Sequence, residues 1–368
     1  MSTNEYMSTR KKIFAVSDIH GHSSLFREAL AKAGFRRDDP EHLLVVCGDY
    51  FDRGSENRAV YNYLDSLKNK VLIRGNHDEN LDNILLNGKL TLADHMNGTE
   101  KTVIEFFRGD YIPEFNFVYT DEKCDGYREL RPFLDGLYDY FETEHYIFAH
   151  GWLPIEPQGE DGIPSLAPDW RYATPAMWHG AVWTEWNKVY PYRPMPQGKT
   201  IIVGHRGTDH ASAFDPERPK GCSEPFFGEG MIAIDALTVV SGRVNILVLE
   251  DEITEPRIHE MKLLDTPFTE MRRGRKTVEM RLFDPKRQLL RQGDLIRFTN
   301  ESSGEKLTVK VIGLHRFDDF FSLTSAFTPR ALGSANKKSA DIAGYMSGIY
   351  DEDQIRKYGT LAIRVSLV

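Results

Sequence analysis

Residues 42–54 read HLLVVCGDYFDRG: an unbroken apolar run (Leu43–Cys47), a glycine, then two carboxylates three residues apart. A short apolar run without alternation predicts a strand buried on both faces. Asp49 and Asp52 follow it directly, and loops past the carboxyl ends of strands are where α/β folds collect their chemistry. The same pattern recurs at KKIFAVSD (11–18), KVLIRGNH (70–77), HYIFAHG (145–151), KTIIVGH (199–205), MIAID (231–235) and VNILVLE (244–250). Helix-like stretches lie between them, Ser23–Ala33 with Ser23 as N-cap and Glu56–Lys68. Strands alternating with helices predict an α/β architecture.

Two stretches break the alternation. Residues 78–144 show no strand character, and RELRPFLDGLYDYFE reads as an amphipathic helix. Residues 152–198 hold all five tryptophans and eight prolines, which predicts an irregular packed lobe in which one or two rings wall the site.

The polar residues at the strand ends form one pattern. Asp18 and His20 are two apart, so their side chains leave a strand end in the same direction. Asp49 and Asp52 sit in GDYFDRG, Asn76 and His77 in GNHD, His150 in FAHG and His205 in VGHR. Taken singly, each has a plain structural reading: Asp18 as a turn residue, Asp52 as a cap for the segment from Ser55, Arg53 as an ion-pair partner. Jointly they are a nitrogen and oxygen donor set without a thiol, suited to Mn²⁺, Fe or Zn²⁺ rather than to soft metals.

In that order these motifs resemble the calcineurin-like metallophosphoesterases, on the branch of the Ser/Thr phosphoprotein phosphatases, over roughly residues 11–250. The resemblance implies a β-sandwich flanked by helices and two divalent ions, Mn²⁺ with Fe or Zn²⁺ as alternatives. It makes Asp18 and His20 ligands of one ion, Asp49 the bridge, and Asn76, His150 and His205 ligands of the other. His77 is then the proton donor to the leaving group, Asp52 its orienting partner, and Arg53 a phosphate clamp; Asn76 also faces the phosphate. No motif anchors a second phosphate-binding arginine, for which Arg206, beside His205, and Arg74 are the candidates. Two such ions with Asp18 and Asp49 leave a centre of about +2, matched to a phosphoryl dianion. The insertions do not match the substrate grooves of the eukaryotic enzymes, so the substrate stays open. A nucleotide or RNA-linked phosphate leads, with a phosphoprotein and a dinucleoside polyphosphate as alternatives. An RNA-binding module on a scaffolding phosphatase fold is the non-enzymatic alternative, and the intact ligand set argues against it.

Past VNILVLE the composition changes. We expect a domain over 1–250, a linker over 251–260 and a second domain over 261–368 with alternating strands such as KLTVKVIGL and GTLAIRVSLV. Residues 258–368 carry a net charge of +5 against −14 for the rest, which points to an anionic partner for the smaller part. This part resembles an ASCH domain, a small PUA-like β-barrel, through Gly274, Lys276, Glu279 and Arg281. The resemblance implies a cleft lined by Lys276, Glu279 and Arg281 that takes RNA or a nucleotide. The alternative is a surface ladder of ion pairs.

The composition excludes other classes. No apolar run reaches 18 residues, so no membrane span is expected. The polar start MSTNEYMSTRKK is no secretory signal, and three scattered cysteines give no disulfide framework. A reducing cytoplasm is the expected compartment.

Overall fold

The computed structural model describes residues 8–158 and 162–368; the first seven residues of the polar start MSTNEYMSTRKK lie outside the described residues. The chain divides into two compact units. The first takes the described residues up to Leu166 together with His179–Thr254, the second Ala167–Trp178 together with Glu255–Val368.

The first unit is built on two sheets. One runs in the order Leu247–Thr254, Ser8–Val16, His42–Cys47, Lys70–Ile73, the first strand antiparallel to its neighbour and the rest parallel. The other runs Phe226–Gly228, Met231–Ala233, Thr200–Val203, Tyr146–Phe148, Phe141–Glu142, with a parallel centre and antiparallel edges. As the apolar runs require, both faces of the first sheet are covered. Phe14, Val16, Leu44 and Val46 pack with Phe26, Leu30, Val60 and Leu64 of the helices Ser23–Lys32 and Asn57–Asp65. Ile13, Ala15, Val45 and Cys47 point the other way and are also fully buried. Each large side chain so buried contributes roughly 1.5–3 kcal/mol.

Register sets the site. Val16 pairs with Val46 and Val46 with Leu72, so the turns after these three strands leave one sheet edge together. In the other sheet Ile202 pairs with Phe148 and Val203 with Ala233, which brings the turns carrying His150, His205 and Asp235 to one edge.

Some expectations need correcting. Ser23 is the first helical residue rather than the cap; the donor of Ser24 is satisfied instead by Glu56 Oε2 at 2.9 Å. The helix expected through RELRPFLDGLYDYFE spans Asp125–Asp135 and stops at Gly136, and Phe141–Glu142 are strand. Residues 78–144 also contain a small ribbon of Tyr111–Ile112 with Phe117–Val118. The linker expected over 251–260 shrinks to 255–257, because Leu247–Thr254 and Ile258–Leu263 are both strands. The polar run 251–254 sits on an edge strand, where Asp251 is buried by accepting from Thr143 Oγ1 and His145 N.

The second unit is a five-stranded sheet in the order Ile258–Leu263, Leu295–Asn300, Lys306–Phe317, Thr360–Leu367, Val278–Leu282. It forms a half-barrel whose two outer strands do not pair, in keeping with the small PUA-like barrel expected here. Phe268, Phe298, Val311 and Ile363 fill one core and Val278, Met280, Leu323 and Ala362 another. No helix among the described residues is long and apolar enough to cross a membrane.

Candidate metal centre

All the donors expected at the strand ends of the first unit converge. His20 Nε2 lies 3.8 Å from Asp18 Oδ1 and 3.6 Å from Asp49 Oδ2. His150 Nε2 lies 3.4 Å from Asp49 Oδ1 and 2.9 Å from Asn76 Oδ1, and His205 Nδ1 lies 2.9 Å from the same amide oxygen. Two groups arise in which the donor atoms lie within 4.8 Å of one another: His20, Asp49 and His77, and Asp49, His150 and His205. Asp49 belongs to both.

The backbone pays a conformational cost for this convergence. Asp18, His20, Asp49, Asp52, Arg53 and His205 adopt positive φ, six of the ten such non-glycine residues described. Strain of that kind persists only where the surroundings fix it and concentrates at functional sites. Space is equally tight: a Cβ on Gly75 would fall 2.2 Å from Asp49 Oδ1. Backbone carbonyls choose the ring nitrogens, since Nδ1–H of His20 donates to Phe51 O at 3.0 Å and Nδ1–H of His150 to Cys47 O at 2.7 Å. That leaves Nε2 of each as a lone pair aimed at the carboxylates, the usual arrangement of metal-binding histidines.

Electrostatics divides the histidines. Burial lowers the pKa of His20 well below its ordinary value. Burial, with His150 alongside, lowers His205 to about 4. Both rings are held neutral at physiological pH, the form in which imidazole binds a metal. His77 goes the other way: burial opposes its charge, but Asp49 and then Asp52 outweigh burial and raise its pKa. The carboxyls complete the picture. Burial, Asp235 and Asp49, in that order, push Asp18 up, and Asp235 itself is raised to about 6, chiefly by burial. Asp18 and Asp235, which resist ionisation beside Asp49, and the neutral imidazoles facing them form a donor set completed by cations, and the residues fit divalent metal ions.

Around the donors lies a second layer. His77 Nδ1–H donates to Asp52 Oδ2 at 2.7 Å, and His77 Nε2 is met by Arg53 Nη2 at 2.9 Å. His205 N–H donates to Asp18 Oδ2 at 2.9 Å. Arg206 keeps its guanidinium by Glu185, with Nε 3.3 Å from the carboxylate. Arg74 is drawn away toward Asp82 at 3.8 Å. Four residues beside the ligands were not singled out from the sequence. Asp235 ends the strand run MIAID, so a strand-end signal existed for it. Asp78 accepts from Gly75 N at 2.7 Å and carries a buried oxygen without a partner. Thr99 and Thr102 lie in the insertion, and nothing in their spacing points to Asp52. Of the five tryptophans, Trp152, Trp170, Trp178 and Trp186 are buried, whereas Trp183 is 42% exposed with its ring 6.4 Å from that of His205. Trp183 Nε1–H donates to Glu79 Oε2 at 2.9 Å, which fixes the indole in place.

In the second unit Lys276 and Glu279 are buried, which overturns the alternative of a surface ladder. Lys276 Nζ lies 3.3 Å from Glu279 Oε2 and donates to Val278 O at 2.6 Å. Arg281 Nη2 lies 2.9 Å from Glu279 Oε1 and donates to Lys262 O.

Histidines and carboxylates gathered at the carboxyl ends of two sheets, around one shared aspartate, define a dinuclear-type phosphoesterase site. The chain belongs to the calcineurin-like phosphoesterases, whose family model matches residues 11–233. An ASCH domain follows at 261–368. A symmetrical bis(5'-nucleosyl)-tetraphosphatase of Buchnera aphidicola subsp. Acyrthosiphon pisum is 42% identical over 69 residues, 18% of this chain and 24% of that protein. The Shewanella-like protein phosphatase 1 of Plasmodium berghei is 27% identical over 157 residues, 39% of this chain and 40% of that protein. The chain thus spans well under half the length of these curated relatives. A solved protein serine/threonine phosphatase from Saccharomyces cerevisiae aligns over 67% of this chain and 81% of its own at 15% identity, with a TM-score of 0.39.

Proposed function

We propose that the chain is a metal-dependent phosphoesterase that hydrolyses a nucleotide or RNA-linked phosphate. The observation that carries the hydrolytic reading is that two groups of metal donors share Asp49, with the His77–Asp52 pair beside them. In our assignment Asp18, His20 and Asp49 hold one ion and Asn76, His150, His205 and Asp49 the other, with Mn²⁺ as the native metal. Such a pair of ions activates water and neutralises charge on the phosphoryl group.

The chain's own residues do the rest. Arg53 offers a planar fork to two phosphoryl oxygens. Its present contact with His77 Nε2 and a proton on that nitrogen exclude one another, so the turn of Arg53 toward a bound phosphate frees Nε2 to be protonated. As water adds to phosphorus and the bond to the leaving oxygen breaks, His77 Nε2–H gives that oxygen its proton while Asp52 holds Nδ1–H. Arg206, next to His205, reaches the phosphate only by leaving Glu185, and in our assignment it flanks the phosphate after that turn.

Three features support the nucleotide. The relatives include a bis(5'-nucleosyl)-tetraphosphatase. The indole of Trp183 offers an exposed, tethered face beside His205 on which a base stacks. The +5 segment 258–368 favours an anionic partner, RNA or nucleotide, at the ASCH domain. There Lys276 and Glu279 are the buried frame, and the partly exposed Arg281 is the contact we assign to phosphate.

The test compares kcat/KM on a nucleoside monophosphate, a dinucleoside polyphosphate, a 5'-phosphorylated RNA, a phosphopeptide and glycerol phosphate, for the wild-type chain and Trp183→Ala. Loss of one stacked base costs about 1–3 kcal/mol. Trp183→Ala is therefore expected to raise KM about five- to a hundredfold for the nucleotide substrates and to spare glycerol phosphate. Preference for the phosphopeptide, with Trp183→Ala neutral on nucleotides, would replace this reading with that of a phosphoprotein phosphatase.

A further inference from the structure

The insertion at 78–144 contributes more than bulk. Its helix Thr99–Phe106 lies against the GDYFDRG turn and holds it at successive points. Thr99 Oγ1–H donates to Asp52 Oδ2 at 2.7 Å, and Thr102 Oγ1–H donates to Asp52 Oδ1 at 2.6 Å. Thr102 Oγ1 also accepts from Asp52 N–H at 3.0 Å. Both threonines are fully buried. They are three residues apart, so they share one face of the helix. Lys101 Nζ donates to Arg53 O at 2.5 Å. Glu105 accepts from Asn57 Nδ2 at 2.7 Å and from Arg58 N at 2.8 Å. Gly98, which starts the helix at φ +79°, lets it come this close: a Cβ there would fall 2.7 Å from Arg53 N.

Asp52 has no covalent reason to hold its carboxylate in one plane, and its backbone sits at φ +74°. With one hydroxyl on each oxygen, the only good direction left at Oδ2 is the one taken by His77 Nδ1–H. We infer that Thr99 and Thr102 are positioning residues for the His77–Asp52 pair, so that the inserted helix sets the aim of the proton donor. The inference rests on the reading of His77 as the acid. It assigns the two hydroxyls no contact with substrate or metal.

The test uses the full chain with Thr99→Val, Thr102→Val and both together, beside the Thr→Ser counterparts and His77→Asn. Each is measured for kcat on an alkyl phosphate and on nitrophenyl phosphate, and for bound Mn²⁺. Misaiming an acid costs rate only where the leaving group needs the proton. The double valine variant is expected to lose about 10–100-fold on the alkyl phosphate and less than about threefold on the nitrophenyl ester. Serine variants should stay near wild type, and metal content should not change. Equal losses on both substrates, or no loss on either, would overturn the positioning role. If the double variant does not fold, the single Thr99→Val carries the same decision. His77→Asn separates the two claims. A leaving-group-dependent loss there, without one in the valine variants, sinks only this inference, whereas an independent loss there sinks the acid assignment beneath it.

Discussion

Asp49→Asn is expected to abolish turnover. Asp49 is the one side chain in both donor groups, with Oδ2 3.6 Å from His20 Nε2 and Oδ1 3.4 Å from His150 Nε2. Its charge is favoured where it stands: burial opposes it, but the imidazoles around it, His150 and His77 foremost, outweigh burial and hold the carboxyl below its usual range. Asparagine keeps the shape and the bond from His77 N–H, which reaches Oδ1 at 3.0 Å, and removes only the charge and one strong donor. Lewis-acid stabilisation at such a site is worth several kcal/mol, so kcat on nitrophenyl phosphate should fall by about 10³–10⁴. Bound Mn²⁺ per chain should drop with it. Full activity in this variant is incompatible with a shared ligand.

The second large effect belongs to His77. Replacing it by asparagine removes the proton donor and leaves the Asp52 carboxylate with the hydroxyls of Thr99 and Thr102. On an alkyl phosphate, whose leaving alkoxide must be protonated, the rate should fall by about 10²–10⁴. On nitrophenyl phosphate, whose leaving group departs as a stable anion, the fall should be much smaller. A loss of the same size on both substrates would assign His77 to phosphate or metal binding instead. His77 shares one donor group with His20 and Asp49, so that outcome would move it from acid to metal ligand.

The site was legible in the sequence to the extent that it lies on strand ends. Asp18, His20, Asp49, Asn76, His150 and His205 each follow a short apolar run, and parallel register carries such residues to one edge whatever the loops do. Asp235 carried the same signal, but an isolated strand-end carboxylate has many plain readings. Thr99 and Thr102 gave no signal. They reach Asp52 from a helix about 50 residues on, and only the packing of that helix on the GDYFDRG turn makes them neighbours. Trp183 was one of five tryptophans in an irregular lobe, and composition cannot tell four core rings from one exposed ring. The VEMRL strand shows a related limit of patterning. Alternation puts Glu279 and Arg281 on the face opposite Val278, Met280 and Leu282, which reads as solvent. In the fold that face is closed too, and Glu279 is neutralised there by Lys276 and Arg281. A buried charge pair is invisible to patterning because patterning equates charge with exposure.

Hydrolysis should depend on two metal ions held at the strand-end site. The direct measurement is metal content and phosphate release from the same full-length sample, stripped with a chelator and then dialysed against graded Mn²⁺. About two Mn²⁺ per chain are expected at saturation, with nitrophenyl phosphate turnover absent in the stripped sample and rising with metal content. A chain that binds no Mn²⁺, or that turns over substrate equally well when stripped, would contradict it.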